Sequence, residues 1–327
     1  MTCSRSRAMI LVCGGLADSV TELVCARLED CGYPYRLLNL GLYPAGYQVS
    51  WRWQGASPAG YIRTAGWQLE LSEISAVYIR YPGAEERLPP ANVPAELAPA
   101  LYAECDAALT ILLEQMPCLV VNRAAAGMSN SSKTYQALMV RECDLLTPPT
   151  LVTSDPAAAQ RFYDEHNGEV IYKSLSGIRS IVRRMDKDAL HRLPHLRHSP
   201  AQFQAFIPGD NVRVHTVGEE VIATRVHTEA VDYRYARRDG YDLAMEEATL
   251  PSAIAAACLK LARRLDLPLA GIDLKETPDG EYYCFEVNPS PGFIYYELNS
   301  GQPISLALAN ILHRGAVRLY RFATSLV

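Results

Sequence analysis

The stretch "LAGIDLKETPDGEYYCFEVN", residues 269–288, sets three oxygen-bearing side chains among apolar and β-branched neighbours. Asp273 precedes the turn chemistry "TPDG", and Glu286 and Asn288 follow it. Proline fixes a negative φ and glycine accepts a positive one, so a hairpin is expected there. A two-residue connection at Pro278–Asp279 would pair Asp273 with Cys284 and Gly271 with Glu286. Asp273 and Glu286 would then be diagonal neighbours, roughly 7–8 Å apart, on the face that also carries Asn288. An ionised carboxylate in apolar surroundings needs a positive partner. Two carboxylates and an amide oxygen suit a hard cation such as Mg2+. The ordinary alternative is a solvent-facing polar edge.

The basic residues complement this face. Lys133 lies in "NSSKTYQAL", near a helix start, and Lys173 ends the apolar strand "VIYK" before the loop "SLSGIRS". A lysine beside a Gly/Ser loop offers phosphate a point charge and backbone N–H groups. The Gly-Lys-Ser/Thr ending of a P-loop is absent, which excludes a conventional P-loop NTPase. The hairpin "DNVRVHTVGEEVIATRV" with a three-residue connection would face Val217 with Val221, and so Arg213 with Arg225. Like charges across a strand pair repel unless an anion sits between them. Asp232 and Arg234 could join that pocket, and His215 on the same face reads as structural. Arg80 ends the strand "AVYIR", where α/β sheets place ligands, and is a candidate clamp for a carboxylate.

These groups need a scaffold. "AMILVCGG", "DSVTELVCARLEDCGY" and "YRLLNL" read as a β-α-β unit, with Asp18 or Ser19 capping the helix. Residues 41–70 read as irregular or as short antiparallel strands. Strands at 74–82 and 118–122 flank a long helix. Beyond Asn122 the pattern changes to hairpins and helices. The fold class is therefore α/β with parallel strands up to about residue 121, and α+β after it.

The 327 residues carry a formal net charge of -5, which gives no general reason to bind nucleic acid or an anionic membrane. Nine scattered cysteines with no CxxC pair argue for reduced thiols and a cytoplasmic protein. "GGLADS" lacks the G-x-G-x-x-G spacing of a dinucleotide fold.

Taken in order, "NSSK", "PPT", "VIYKSLSG", "FQAFIPGDNVRV", "GIDL" and "FEVNPSPGF" resemble an ATP-grasp ligase of the RimK-like branch, from Asn122 to about Gln302. That branch includes ribosomal-protein glutamate ligase, glutathione synthetases and ATP-grasp peptide maturases. The resemblance implies an N-terminal pre-ATP-grasp domain at 1–121, a central lid subdomain at 122–200 and a C-terminal subdomain with the metal site at 201–327. It implies that Lys133 and Lys173 bind ATP, that "SLSGIRS", with Ser176, Gly177 and Arg179, covers the phosphates, and that Gln204, Ala205, Phe206 and Ile207 form the adenine hinge. Asp273, Glu286 and Asn288 match magnesium ligands, holding two ions with Mn2+ as a substitute. Arg213 matches the arginine beside the transferred phosphoryl group. Ala205 and Asn211 depart from residues that glutamate ligases often carry as acids, which leaves the adenine and ribose contacts open.

The implied reaction is carboxylate–amine ligation through an acyl phosphate, with release of ADP and phosphate and no covalent enzyme intermediate. Lys173, Arg213 and Arg225 would act on the developing charge. Arg80, Arg179, Arg225, Arg234 and Tyr296 are the candidates for holding the acceptor. An amino acid, a small peptide and a ribosomal precursor peptide all stay open as substrates, and so does a homo-oligomer, dimer or tetramer. A nucleotide sensor and a hydroxyl phosphotransferase on the same scaffold are the rival readings.

Overall fold

The structure is a computed structural model that describes residues 8–42, 45–83, 87, 93–175, 182–228 and 240–324, with side chains up to residue 315. The first sheet is parallel, in the order β2-β1-β6-β7, from β1 (Met9–Gly14), β2 (Tyr35–Asn39), β6 (Ile74–Ile79) and β7 (Leu119–Val121). Strands β1, β6 and β7 are almost wholly apolar because both their faces are covered, whereas the edge strand β2 carries Arg36 and Asn39. Helix α1 (Ser19–Asp30) starts at Asp18, whose carboxylate accepts from Thr21 N at 2.9 Å and Thr21 Oγ1 at 2.7 Å. Ile10 and Val12 pack with α1 on one face, whereas Leu11 and Cys13 pack with α2 (Ala98–Gln115) on the other. Residues 47–70 form a regular antiparallel sheet of β3 (Tyr47–Gln54), β4 (Ser57–Thr64) and β5 (Gln68–Glu70).

After α3 (Ala124–Gly127) and α4 (Lys133–Glu142), a second sheet runs β10-β9-β11-β8. Its strands are β8 (Thr150–Thr153), β9 (Val170–Lys173), β10 (Arg183–Arg184) and β11 (Ala201–Ala205). Helices α5 (Pro156–Glu165) and α6 (Lys187–His191) cover the face carrying Val170 and Phe203. Because strand side chains alternate, Ile171, Lys173, Gln202 and Gln204 lie on the opposite face. β11 pairs with both β8 and β9, so the sheet continues past the expected boundary at residue 200. The step to the next sheet falls at 206–209. There Gly209, at φ 126°, passes so close to the Glu276 carbonyl that a Cβ would lie 2.0 Å from its oxygen.

The third sheet, antiparallel, runs β14-β13-β12-β15-β16: β12 (Asp210–Val217), β13 (Glu220–His227), β14 (Ala244–Ala248), β15 (Leu269–Glu276) and β16 (Tyr282–Asn288). Helices α7 (Ser252–Arg264) and α4 pack on the face of Val212, Val214, Ile272 and Leu274. On the other face, Val217 and Leu269 join Ile10, Val12 and the closing helices α8 (Ile294–Ser300) and α9 (Ile304–Thr324) in one core. The first and third sheets therefore share an interior.

Both expected hairpins form, each in a different register. Val217 pairs with Glu220 across the two residues Gly218 and Glu219, with Gly218 at φ 61°. Arg213 thus faces Thr224, and Arg225 faces Val212 on the far side of the sheet. The expected Arg213–Arg225 opposition does not occur. Arg225 instead bonds Asp210 at 2.9 Å and Glu276. In the β15–β16 hairpin, Thr277 N donates to Glu281 O across a three-residue loop with Gly280 at φ 80°. A bulge at Phe285 adds a second step, since Leu274 pairs with Cys284 but Asp273 with Glu286. Asp273 and Glu286 are therefore directly opposite, and Asn288 faces Gly271.

Candidate functional site

One face of the third sheet collects Arg213, Asp273, Glu286 and Asn288, because each pairs across the ladder with a residue of the same side. Two carboxylates directly opposite each other repel. Two cations answer them: Arg213 Nη1 donates to Asp273 Oδ1 at 2.8 Å, and Lys133 Nζ donates to Glu286 Oε1. Arg213 is only 5% exposed, so its charge is available to this face and hardly at all to solvent.

Lys133 reaches the sheet from the first turn of α4. Ser132 caps that helix and accepts from Tyr135 N. A lysine at a helix N-terminus is unfavourable by itself, and a nearby anion offsets this. One turn further on, the buried side chain of Gln136 docks the helix on β16. Its Nε2 donates to Val287 O at 2.7 Å and its Oε1 accepts from Val287 N at 3.2 Å. Asn130 Oδ1 accepts from Lys133 Nζ at 2.9 Å.

Arg213 is held in a tight slot. Its planar guanidinium lies 5.4 Å from the ring centroid of Tyr296, and Nε donates to His215 Nε2 at 3.5 Å. Gly271 opens the slot, since a Cβ there would lie 2.0 Å from Arg213 Nη2 and 2.8 Å from Pro291 Cβ. Burial pushes the His215 imidazole well below its ordinary 6.5, and the Arg213 charge adds to this, so His215 is neutral. Tyr296 is 6% exposed and edge-on to His215, so it is a wall behind Arg213 rather than an open acceptor contact. Glu297, in the same helix, accepts from Ser305 N and Oγ and so caps α9.

The loop after β16 is pinned from the first sheet. Asn122, at the end of β7, donates from Nδ2 to Leu269 O and Pro289 O, and accepts from Leu269 N. Asn288 Oδ1 accepts from Ser290 N at 2.8 Å. Arg80, at the C-terminal end of β6, donates from Nη1 to Ser290 Oγ at 3.0 Å and Ser290 O at 3.2 Å.

The second sheet supplies the opposite wall. Gln204 Nε2 donates to Thr150 Oγ1 at 3.0 Å, whereas its buried Oε1 meets no donor among the described residues. Phe206 follows, with Arg184 stacked at 3.7 Å and Lys275 at 5.0 Å from its ring. Ala205 N and Phe206 N are spent on Pro149 O and Glu169 O, so neither amide is open. Asn211 pairs with Lys275, two residues along from the Arg213–Asp273 pair.

The structure thus brings together Lys133, Arg213, Asp273, Glu286 and Asn288, with Arg80 tied in through Ser290. It places Lys173 and Gln204 on the second sheet's face opposite α5 and α6 and moves Arg225 to the far side of the third. Ser176, Gly177, Arg179, Asp232 and Arg234 lie outside the described residues. The sequence reading gave no site role to Gly271, Gln136 or Asn122. Among the described residues no helix is long and apolar enough to cross a membrane.

A family model described as a RimK-like ATP-grasp domain matches residues 129–312. The chain is 27% identical over 228 residues to beta-citrylglutamate synthase B of Danio rerio; the match spans 65% of this chain and 56% of that protein, little over half its length. Among solved structures, macrocyclase MdnC bound with precursor peptide MdnA, from Microcystis aeruginosa MRC, superposes with a TM-score of 0.78 at 26% identity, over 93% of this chain and 99% of that one. ATP-grasp ligase PsnB complexed with minimal precursor, Mg and ADP gives 0.77 at 25% identity, over 94% and 98%.

Proposed function

Because the chain belongs to the RimK-like ATP-grasp family, we propose that it is an ATP-dependent carboxylate–amine ligase that forms an amide bond on a peptide. The observation that carries this reading is the four-charge face on which Asp273 and Glu286 oppose each other, each bonded to a cation.

ATP would lie between the second and third sheets. Gln204 Oε1, buried and without a donor among the described residues, suits the amino group of adenine. Lys133 and Lys173 would turn to the phosphates, and Arg213 would face the γ-phosphoryl group from its slot. Asp273, Glu286 and Asn288 present only oxygen donors, which fits magnesium (two ions, with Mn2+ as a substitute). Magnesium, when bound there, neutralises and orients phosphate oxygens.

A substrate carboxylate oxygen attacks the γ-phosphorus, and the bond to the β–γ bridging oxygen breaks to release ADP. An amine then attacks the acyl carbon, loses its proton, and phosphate leaves with the electron pair of the C–O bond. Arg213, fixed by its slot, is preorganised for the charge that develops on the phosphoryl oxygens. The loop at 174–180 would exclude water from the acyl phosphate. The cytoplasm, where ATP is present, is the proposed compartment.

A precursor peptide is the favoured substrate over a free amino acid. MdnC and PsnB, both named with peptide precursors, superpose over more than nine-tenths of this chain, N-terminal sheet included. The test is ADP release across candidate peptides in the presence of hydroxylamine. A hydroxamate on the peptide is the expected product. A phosphorylated hydroxyl without hydroxamate would make the protein a phosphotransferase, and no ADP with any acceptor would leave a nucleotide sensor.

A further inference from the structure

Arg80 stands where a substrate clamp would, yet one donor on each edge of its guanidinium is already spent. Nε donates to Asp18 Oδ1 at 3.0 Å, and Nη1 donates to both Ser290 oxygens. Neither edge of the guanidinium keeps both of its donors, so the two-pronged capture of a carboxylate that favours arginine is lost. What Arg80 does grip is the loop that carries Asn288. Ser290, whose oxygens Arg80 holds, donates its N–H to Asn288 Oδ1 at 2.8 Å. An amide oxygen has two lone pairs, so this bond fixes the side chain and leaves one pair for another partner.

From the chain Asp18–Arg80–Ser290–Asn288 we infer that Arg80 is a positioning residue for the metal site, through which the N-terminal sheet sets the oxygen of Asn288. The inference rests on the reading of Asp273, Glu286 and Asn288 as metal ligands given above.

The far end of the chain is rigid. Asp18 is fixed by Thr21 N and Thr21 Oγ1, and Thr21 is 1% exposed. Gly14 makes room for it, because a Cβ there would lie 2.4 Å from Thr21 Oγ1. Burial raises the Asp18 carboxyl, but the Thr21 hydrogen bonds and the Arg80 charge together carry it below its ordinary 3.8, so the anion that anchors Arg80 persists at neutral pH. Asn122 grips Pro289, the residue between Asn288 and Ser290, from the neighbouring strand end. The ends of two parallel strands thus hold two consecutive residues of the loop, Pro289 and Ser290, and Ser290 holds Asn288. The device is the outer-shell support that ligand residues need to keep their orientation.

The test titrates Mn2+ into the full-length protein saturated with the non-hydrolysable analogue AMPPNP and follows free Mn2+ by electron paramagnetic resonance. Arg80→Met should weaken Mn2+ binding about 10–100-fold, the range for loss of an outer-shell partner. Its affinity for the analogue without metal, and the acceptor KM, should stay at the wild-type values. Unchanged Mn2+ affinity with a raised acceptor KM would overturn the inference and restore Arg80 as a substrate clamp. If Arg80→Met melts at a lower temperature, Asp18→Asn, with its amide oxygen on Thr21, keeps the helix cap and removes both the charge and the acceptor that anchor Arg80. A several-fold loss of Mn2+ affinity in that variant supports the relay, and none overturns it. Glu286→Gln separates the two levels of the argument. If that variant binds Mn2+ as the wild type does, the metal reading itself fails. If it loses Mn2+ while Arg80→Met does not, only the relay fails.

Discussion

A methyl group at residue 271 should silence catalysis while sparing the fold. An ideal Cβ on Gly271 would lie 2.0 Å from Arg213 Nη2, 2.6 Å from Arg213 Cζ and 2.8 Å from Pro291 Cβ. Carbon–nitrogen contact requires about 3.5 Å, so the guanidinium must retreat by about 1.5 Å. Pro291 is a ring in a pinned loop and cannot yield in its place. Such a shift breaks the 2.8 Å bond to Asp273. Misplacing a catalytic group by about 1 Å can cost on the order of 100-fold in rate. Against this, alanine gains about 0.5–1 kcal/mol over glycine in a strand, which partly offsets the lost ion pair. Breaking a buried ion pair costs up to about 3–5 kcal/mol, so Gly271→Ala should fold but melt at a lower temperature, and is assayed below it. ADP release at saturating ATP and acceptor should fall on the order of 100-fold. Turnover within threefold of the wild type, from a folded variant, would refute the placement of Arg213 at the reacting group.

Glu286→Gln should remove ADP formation without changing the circular dichroism spectrum; normal turnover contradicts its assignment as a metal ligand. Gln136→Leu strands the N–H and C=O of Val287 without partners, which should cost about 2–4 kcal/mol in a urea titration; an unchanged midpoint contradicts the docking role of that side chain. Arg225→Ala should alter turnover less than threefold, because Arg225 faces Asp210 and Glu276 on the other side of the sheet; a loss like that of Arg213→Ala would contradict the register. His215 is held neutral below its ordinary 6.5, so the unfolded chain binds a proton there that the folded one does not. Stability contributed by this site is present above pH 6.5 and lost as pH falls below it, by up to about 1.4 kcal/mol per pH unit. Urea midpoints at pH 7.5 and 5.5 should therefore differ more for the wild type than for His215→Gln, and equal acid sensitivity would contradict the buried neutral imidazole.

The shared face of Asp273, Glu286 and Asn288 was legible in the sequence for a reason that includes luck. The connection is one residue longer than "TPDG" suggests, and the bulge at Phe285 adds another. Two single-residue steps restore the parity of side chains, so the face survived although the pairing did not. In the β12–β13 hairpin only one step was misjudged, and Arg225 went to the opposite face. Turn length is a property of backbone geometry at Gly218 and Gly280 that residue types constrain only loosely. Gly271 was visible within "GIDL", but its purpose is the space it leaves for a side chain from another strand. Gln136 and Asn122 bridge backbone groups about 150 positions away. Local patterns carry no signal for such contacts, since the partners are backbone atoms that every residue has.

The most direct measurement is a crystal structure of the protein with AMPPNP and Mn2+, recorded at the manganese absorption edge. Anomalous peaks bounded by Asp273, Glu286 and Asn288, with Lys133 turned onto the phosphates and Arg213 in its slot beside the γ-phosphate, are what the account predicts. Manganese elsewhere on the nucleotide, with Lys133 still bonded to Glu286, would contradict it.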